Sequence, residues 1–218
     1  MIPTAPDARE LSKPVLVFGA GGLAADVVDI VARAWNLPVA GFVVNREPPQ
    51  ETRAPDAPPI FLWSEIRPRA DEFLSVNAMG RPTRRAFIEE AEKAGFVFRT
   101  LIDPSAQIFP SALVEPGCVI GAGCIVAAGA CIRRHVFLNR GVLIGHHTRV
   151  EPFTSIQAGA RVGGHGLIEE ESEIGIGATI IDRINIGARS FVAAGSVVVR
   201  DSAPDSKLLG NPARERSK

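Results

Sequence analysis

The chain has 218 residues, enough for one or two domains with a hydrophobic core. Its 24 lysines and arginines balance its 24 aspartates and glutamates, so no global field draws it to nucleic acid or to an anionic membrane. No apolar run approaches the roughly 18 residues of a membrane span, and the opening "MIPTAPDARELSK" lacks a leader's apolar stretch, so a soluble, cytoplasmic protein is expected.

The first half alternates strand and helix signals. "PVLVF" reads as a short buried strand, followed by "GAGG" and a helix over 23–35. "VAGFVV" is a second strand, and a proline-rich loop covers 45–59. "EFLSV" reads as a third strand, "PTRRAFIEEAEKAG" as a helix closed by Gly95, and "FVFRTLI" as a fourth strand. This β-α-β order predicts a small parallel sheet with flanking helices over 14–100.

From residue 102 the periodicity changes. Every sixth residue from Ile102 through Ile120, Ile144, Ile168 and Ile186 to Val198 is Ile, Val or Leu, without a slip. Four places after these the residue is usually small, as at Ala106, Ala112, Cys118, Cys124, Ala130, Ala160, Ala178, Ser190 and Ser196. A helix needs a period of 3.6 and a plain strand a period of 2, so neither fits. Short strands joined by tight turns do, and they make a parallel β-helix of hexapeptides. The 21 glycines and the absence of tyrosine suit such a coil better than an aromatic-rich core. Cys118 and Cys124 fall at the small inward position, where a thiol packs as a small hydrophobe. Cys131 has no activating neighbour in sequence, and the three cysteines form neither an even disulfide set nor a CxxC pair.

A period-six array of the [LIV]-G-x-x-[STA]-x type resembles the hexapeptide-repeat acyltransferases. With the small α/β half and the ending "LLGNPAR", it is similar to the sugar O/N-acyltransferases of the NeuD/PglD type over roughly 14–214. The resemblance implies an N-terminal Rossmann-like α/β domain (14–100), a left-handed parallel β-helix (101–200) and a C-terminal tail (201–218). It implies three hexapeptides per coil, so that residues 18 apart stack, and a homotrimer with active sites between neighbouring prisms. It also implies acetyl-CoA as co-substrate, a nucleotide-linked amino sugar as acceptor, and no metal.

On that reading, "IGHHT" places His146 where the family has its general base, an imidazole suited to taking the acceptor's proton near neutral pH. His147 is the alternative base, and it stands where the family usually has an acidic residue that orients the ring. Glu151 is a candidate substitute for that missing acid. Gly164 in "GGHG" matches the family glycine whose N–H meets the thioester carbonyl. The γ-class carbonic anhydrases share this fold and hold zinc on three histidines. Here His147 and His165 would stack, but no third histidine has suitable spacing, so a metal site is not expected. His135 and His165 read as surface turn residues.

Coenzyme A in the resembled family runs along successive turns, which points to Ala158, Ile176 and Ala194. "GNPAR", with Gly210 and Pro212, matches the segment that meets the nucleotide end of the coenzyme. "GAGGLA" is a G-x-G-x-x-A fingerprint between a strand and a helix, with Gly19, Gly21 and Gly22 able to approach a phosphate. The second strand ends at Asn45 and not at an acid, which weakens a dehydrogenase reading. "AMGRPTRR" supplies Gly80 and Arg84 as further nucleotide-sugar contacts. The acidic run "EEESE" (169–173) reads as a solvated face with no role. The expected activity is direct acetyl transfer to a sugar amine. A sugar O-acetyltransferase and a non-catalytic nucleotide-sugar-binding protein are the rivals.

Overall fold

The computed structural model describes residues 12–46 and 57–216. The first eleven residues of the N-terminal opening and most of the proline-rich loop thus lie outside the described residues. No helix among the described residues is long and apolar enough to cross a membrane.

The first part is a four-stranded parallel sheet of β1 (Val15–Phe18), β2 (Val39–Val44), β3 (Ile60–Leu62) and β4 (Leu74–Asn77), in the order β3-β2-β1-β4. Strand β1 is buried at every residue, as a central strand covered on both faces should be. Helix α1 (Leu23–Trp35) lays Ala24, Val27, Ile30 and Val31 on the Val15 and Val17 side. Helix α3 (Arg85–Lys93) lays Phe87, Ile88 and Ala91 on the Leu16 and Phe18 side. Between β3 and β4 run α2 (Trp63–Ile66) and a 3-10 turn over Arg67–Glu72.

Two sequence expectations change here. "FVFRTLI" is not a fourth strand of this sheet. It gives one isolated parallel bridge, Phe98 to Ser75, and its last two residues, Leu101–Ile102, begin the β-helix. The fourth strand is β3, which follows the proline-rich loop directly and whose register Phe42↔Ile60 completes the edge. It has only three residues, too few for alternation to show.

From Leu101 the chain winds as two-residue strands that pair with the strand 18 residues on, as in Phe137↔Ser155, Leu143↔Arg161 and Arg149↔Leu167. The three resulting sheets are the faces of a prism: the first contains Phe137 and Ser155, the second Leu143 and Arg161, the third Arg149 and Leu167. The hexad Ile, Val and Leu residues form its core, and Ile120, Ile132, Leu138, Ile144, Ile156, Ile168 and Ile174 are fully buried. The small inward position has its own chemistry. Cys118 Sγ, Cys124 Sγ, Thr148 Oγ1, Thr154 Oγ1 and Ser172 Oγ each donate to the carbonyl 15 residues on. These groups are therefore satisfied donors inside the coil, which is why small polar residues are tolerated there.

Residues 201–216 are more than a tail. Lys207–Gly210 pairs with the first face through Phe191↔Lys207 and folds back on Ala213–Glu215 as an antiparallel hairpin across the cis Asn211–Pro212 peptide. Leu208 is buried and caps the last coil.

The sheet unit packs on the first face, where the outward residues Leu101, Val119 and Phe137 are buried against α1 and β4 side chains. Arg84 fixes the docking. It is 2 % exposed, and its guanidinium donates to Ser155 Oγ, His135 O and Thr154 O. Burial pushes its pKa down to about 10. The acidic run is also recruited, contrary to a purely solvated face: Glu170 and Glu171 pair with Arg85 at 3.0 and 2.6 Å.

Candidate functional site

The prism has three edges, each a column of turns 18 residues apart, and the candidate residues divide between two of them. The edge between the second and third faces carries His146, His147, Gly164, His165 and Asp182. The edge between the first and second faces carries Ala158, Ile176 and Ala194.

From Gly117 onward each turn contains one residue in the left-handed region, and this position decides where His135, His147 and His165 point. His135, His147 and His165 all occupy it, with φ of 57, 56 and 56°. Glycine fills it along the other edge, at Gly141, Gly159, Gly177 and Gly195. His147 and His165 are one coil apart, and their rings stack with centroids 5.0 Å apart and planes 8° from parallel. His146 stands nearly perpendicular to both. Its Nδ1 lies 3.2 Å from His147 Nδ1, so one ring donates N–H and the other accepts. All three rings are exposed.

His147, at the position where the resembled family has its acid, is thus the ring partner of His146. Glu151 is not: it is paired with Arg149 at 2.6 Å, past the next strand. The expectation for Gly164 also needs correction. Its N–H is donated to Asp182 Oδ1 at 2.7 Å and is not available to a carbonyl. What Gly164 contributes is space, because a Cβ there would lie 2.8 Å from His146 Nε2. His165 lowers the third expectation: it is a turn residue, yet its ring joins the other two. One ligand-capable nitrogen from each of His146, His147 and His165 lies within 4.8 Å of the others, so a third histidine is in place after all. His165 titrates below its usual range, first through lost hydration and then through Arg183 and the two neighbouring imidazoles.

His135 is not a surface residue. It is 2 % exposed, stacked on Phe153 at 4.9 Å, and its Nε2 lies 2.9 Å from Glu92 Oε1 on α3. Its environment is the packed contact between the sheet unit and the prism. The cysteines likewise have no nucleophilic setting. Burial pushes the Cys118 and Cys124 thiols up to about 12 and about 11, and raises Cys131 as well.

The second region is an open cleft of about 1060 Å³ between the sheet unit and the first edge. Gly19, Gly21, Gly22, Asn45 and Gly80 line it from the sheet side, and Ala158, Ile176 and Ala194 from the prism side. The glycine loop and the small-residue column thus share one cleft. Gly19 has a φ of +109° and ends β1, with α1 starting at Leu23, as the fingerprint anticipates. Arg84 borders the cleft, but its guanidinium is spent on the prism backbone and Ser155. Arg81 and Arg46 also line it, as does Arg140, which is paired with Asp26. The signal for Arg81 in the sequence is its place beside Gly80 in "GRPTRR". Gly210 and Pro212 lie at the turn of the C-terminal hairpin, and Gly210 N is bonded to Ser196 Oγ at the top of the same edge.

No family model matches the chain. By structure, it is similar to a perosamine N-acetyltransferase from Caulobacter crescentus, solved as a point mutant with CoA and GDP-perosamine. The TM-score is 0.85 at 27 % identity, over 94 % of this chain and 97 % of that one. The fold is that of the left-handed β-helix acetyltransferases. The acetyltransferase domain of PglB from Neisseria gonorrhoeae, in complex with acetyl coenzyme A, matches with a TM-score of 0.84 at 29 % identity, over 94 % of this chain and 99 % of that one. By sequence, a putative serine acetyltransferase from Schizosaccharomyces pombe is 34 % identical over 83 residues, which is 34 % of this chain and 31 % of that protein. The chain thus spans about a third of that curated relative.

Proposed function

We propose that the chain transfers the acetyl group of acetyl-CoA to the amino group of a nucleotide-linked amino sugar, with His146 as general base. The observation that carries this reading is the likeness to a perosamine N-acetyltransferase over 94 % of the chain, which spans both the sheet unit with its glycine loop and the prism with its histidines. The serine acetyltransferase likeness reaches only a third of the chain and favours the same transfer to a small hydroxyl acceptor as the second reading.

The chemistry asks for one base. The acceptor amine attacks the thioester carbonyl, and its proton passes to His146 Nε2 as the tetrahedral intermediate forms. The C–S bond then breaks, and the imidazolium returns the proton to the departing thiolate. For this His146 carries its own proton on Nδ1 and donates it in a hydrogen bond to His147 Nδ1, which fixes the ring and leaves the Nε2 lone pair free, beside Gly164. The glycine loop at the start of α1, with Arg81 and Arg46, suits a pyrophosphate. Ala158, Ile176 and Ala194 present a smooth wall to a pantetheine arm, with Gly210 and Pro212 toward the coenzyme's nucleotide end.

Reacting atoms must come within about 3–3.5 Å, yet the cleft and His146 lie on different edges of one prism. A homotrimer, in which the cleft of one subunit faces the histidine edge of the next, completes the site.

The test is thiol release from acetyl-CoA with GDP-, UDP- and dTDP-linked amino sugars, their hydroxyl counterparts and L-serine, on wild type and His146→Ala. Turnover on one amino sugar, lost in His146→Ala, supports the proposal. Turnover on serine or on a sugar hydroxyl transfers the reading to an O-acetyltransferase. Binding of a nucleotide sugar without thiol release leaves a non-catalytic binding protein.

A further inference from the structure

The transfer chemistry uses His146 and an orienting neighbour, and it leaves His165 without a task. Three imidazoles nonetheless converge on one exposed edge, held by backbone that cannot drift. His147 N donates to Ala128 O and His165 N to His146 O, at 3.0 and 2.9 Å, so the coil-to-coil ladder fixes all three Cα positions. His147 and His165 share the same left-handed φ of 56°, which aims both side chains the same way from successive coils. Glycines clear the ground beneath them: a Cβ at Gly129 would lie 2.9 Å from His147 Cδ2, and one at Gly164 would lie 2.8 Å from His146 Nε2.

We infer that His146, His147 and His165 form a binding site for one divalent metal ion of the zinc class, and that an ion bound there switches off the transfer reaction. Two imidazole nitrogens on a tetrahedral zinc, with Zn–N of about 2.0–2.1 Å, stand about 3.3 Å apart. His146 Nδ1 and His147 Nδ1 are 3.2 Å apart, close to that edge length. The third nitrogen lies within 4.8 Å of the others, and a rotation of the exposed His165 ring brings it in. An all-imidazole set selects zinc, copper or nickel over magnesium or calcium, which take oxygen ligands. Three protein ligands leave a fourth position for water.

The consequence for catalysis rests on the function proposed above. A metal on His146 Nδ1 displaces the proton shared with His147, and the neutral ring then carries its proton on Nε2. That nitrogen becomes a donor and cannot accept the proton of the attacking amine. Occupancy and base catalysis therefore exclude each other at one residue.

The experiment uses the full chain without a histidine tag. Zinc is titrated by calorimetry in the absence of co-substrates, and acetyl transfer is measured across the same zinc range. The expected result is one zinc per chain, with affinity at least about tenfold weaker in His147→Asn and in His165→Asn, since even partners outside the ligand set cost about 10–100-fold. Wild-type turnover should fall at least tenfold at saturating zinc, and His165→Asn should lose a smaller fraction of its own metal-free rate. Absence of saturable binding, or equal affinity in both variants and wild type, overturns the site. Stoichiometric binding with undiminished turnover leaves the site standing and overturns His146 as the base, so the two proposals fail separately.

Discussion

At the scale of single residues, one left-handed backbone position recurs from turn to turn, and the three prism edges fill it differently. The left-handed residue of each turn is glycine along the edge that lines the cleft, whereas histidine holds it twice on the edge with the exposed rings. L-residues adopt that conformation at a cost of about 1–2 kcal/mol, so non-glycine residues there are a sign of a gain elsewhere. Gly164 is a different case, because its φ is ordinary and what it supplies is room for the His146 ring. Gly164→Ala should push the ring tip aside and lower kcat at least about tenfold, since a displacement near 1 Å costs up to about 100-fold. The melting temperature should stay close to wild type because the ring is exposed and can swing. Steady-state kinetics beside a thermal melt check both halves, and unchanged kcat would remove His146 from the reaction.

At the scale of elements, α3 and the third prism edge meet through a buried histidine. His135 is wedged between Phe153 and Phe98, with Glu92 on α3 at its Nε2, and Arg84 and Arg134 nearby. Burial holds its pKa below the usual 6.5, outweighing Glu92, which acts in the opposite direction. The folded state thus binds fewer protons than the unfolded state below pH 6.5, and stability falls as pH drops from there toward the folded pKa. Thermal melts from pH 7 to about 5 should show this loss, with a flatter profile in His135→Gln. An identical slope in the variant would assign the loss to other groups.

At the scale of the whole molecule, cleft and base edge are separated by one prism face, and the trimer proposed above joins them between subunits. Arg81→Glu should impair the cleft, and His146→Ala the base. Chains carrying one defect each, refolded together, should regain a measurable part of wild-type turnover, because some interfaces pair an intact cleft with an intact base. Each variant alone should stay inactive. No recovery on mixing would confine the whole reaction to a single chain.

How much of this was legible in the sequence follows from what each feature depends on. The prism core was, because an inward position every six residues records the coil directly in the order of residues. Helices α1 and α3 were, through their apolar stripes. Strand β3 is not legible because three residues after a proline-rich stretch carry no period, and "FVFRTLI" has a strand's pattern although its apolar residues serve the aromatic cluster around Phe18 and the first coil. His135 looked like its exposed relatives His147 and His165, since all three sit at the same place in a turn. Only the docking of α3 buries it.

The sequence by itself determined the repeat, the inward residues, the stacking of His147 on His165 and the glycine loop between β1 and α1, for these follow from spacing along the chain. The tertiary structure alone decided which edge the sheet unit leans on, that Arg84 and the acidic run hold it there, that Asp182 takes the Gly164 N–H, and that His146 turns its Nδ1 to His147. Those are contacts between side chains and backbone brought together by coiling and docking, and nothing in linear spacing specifies a direction in which a side chain points.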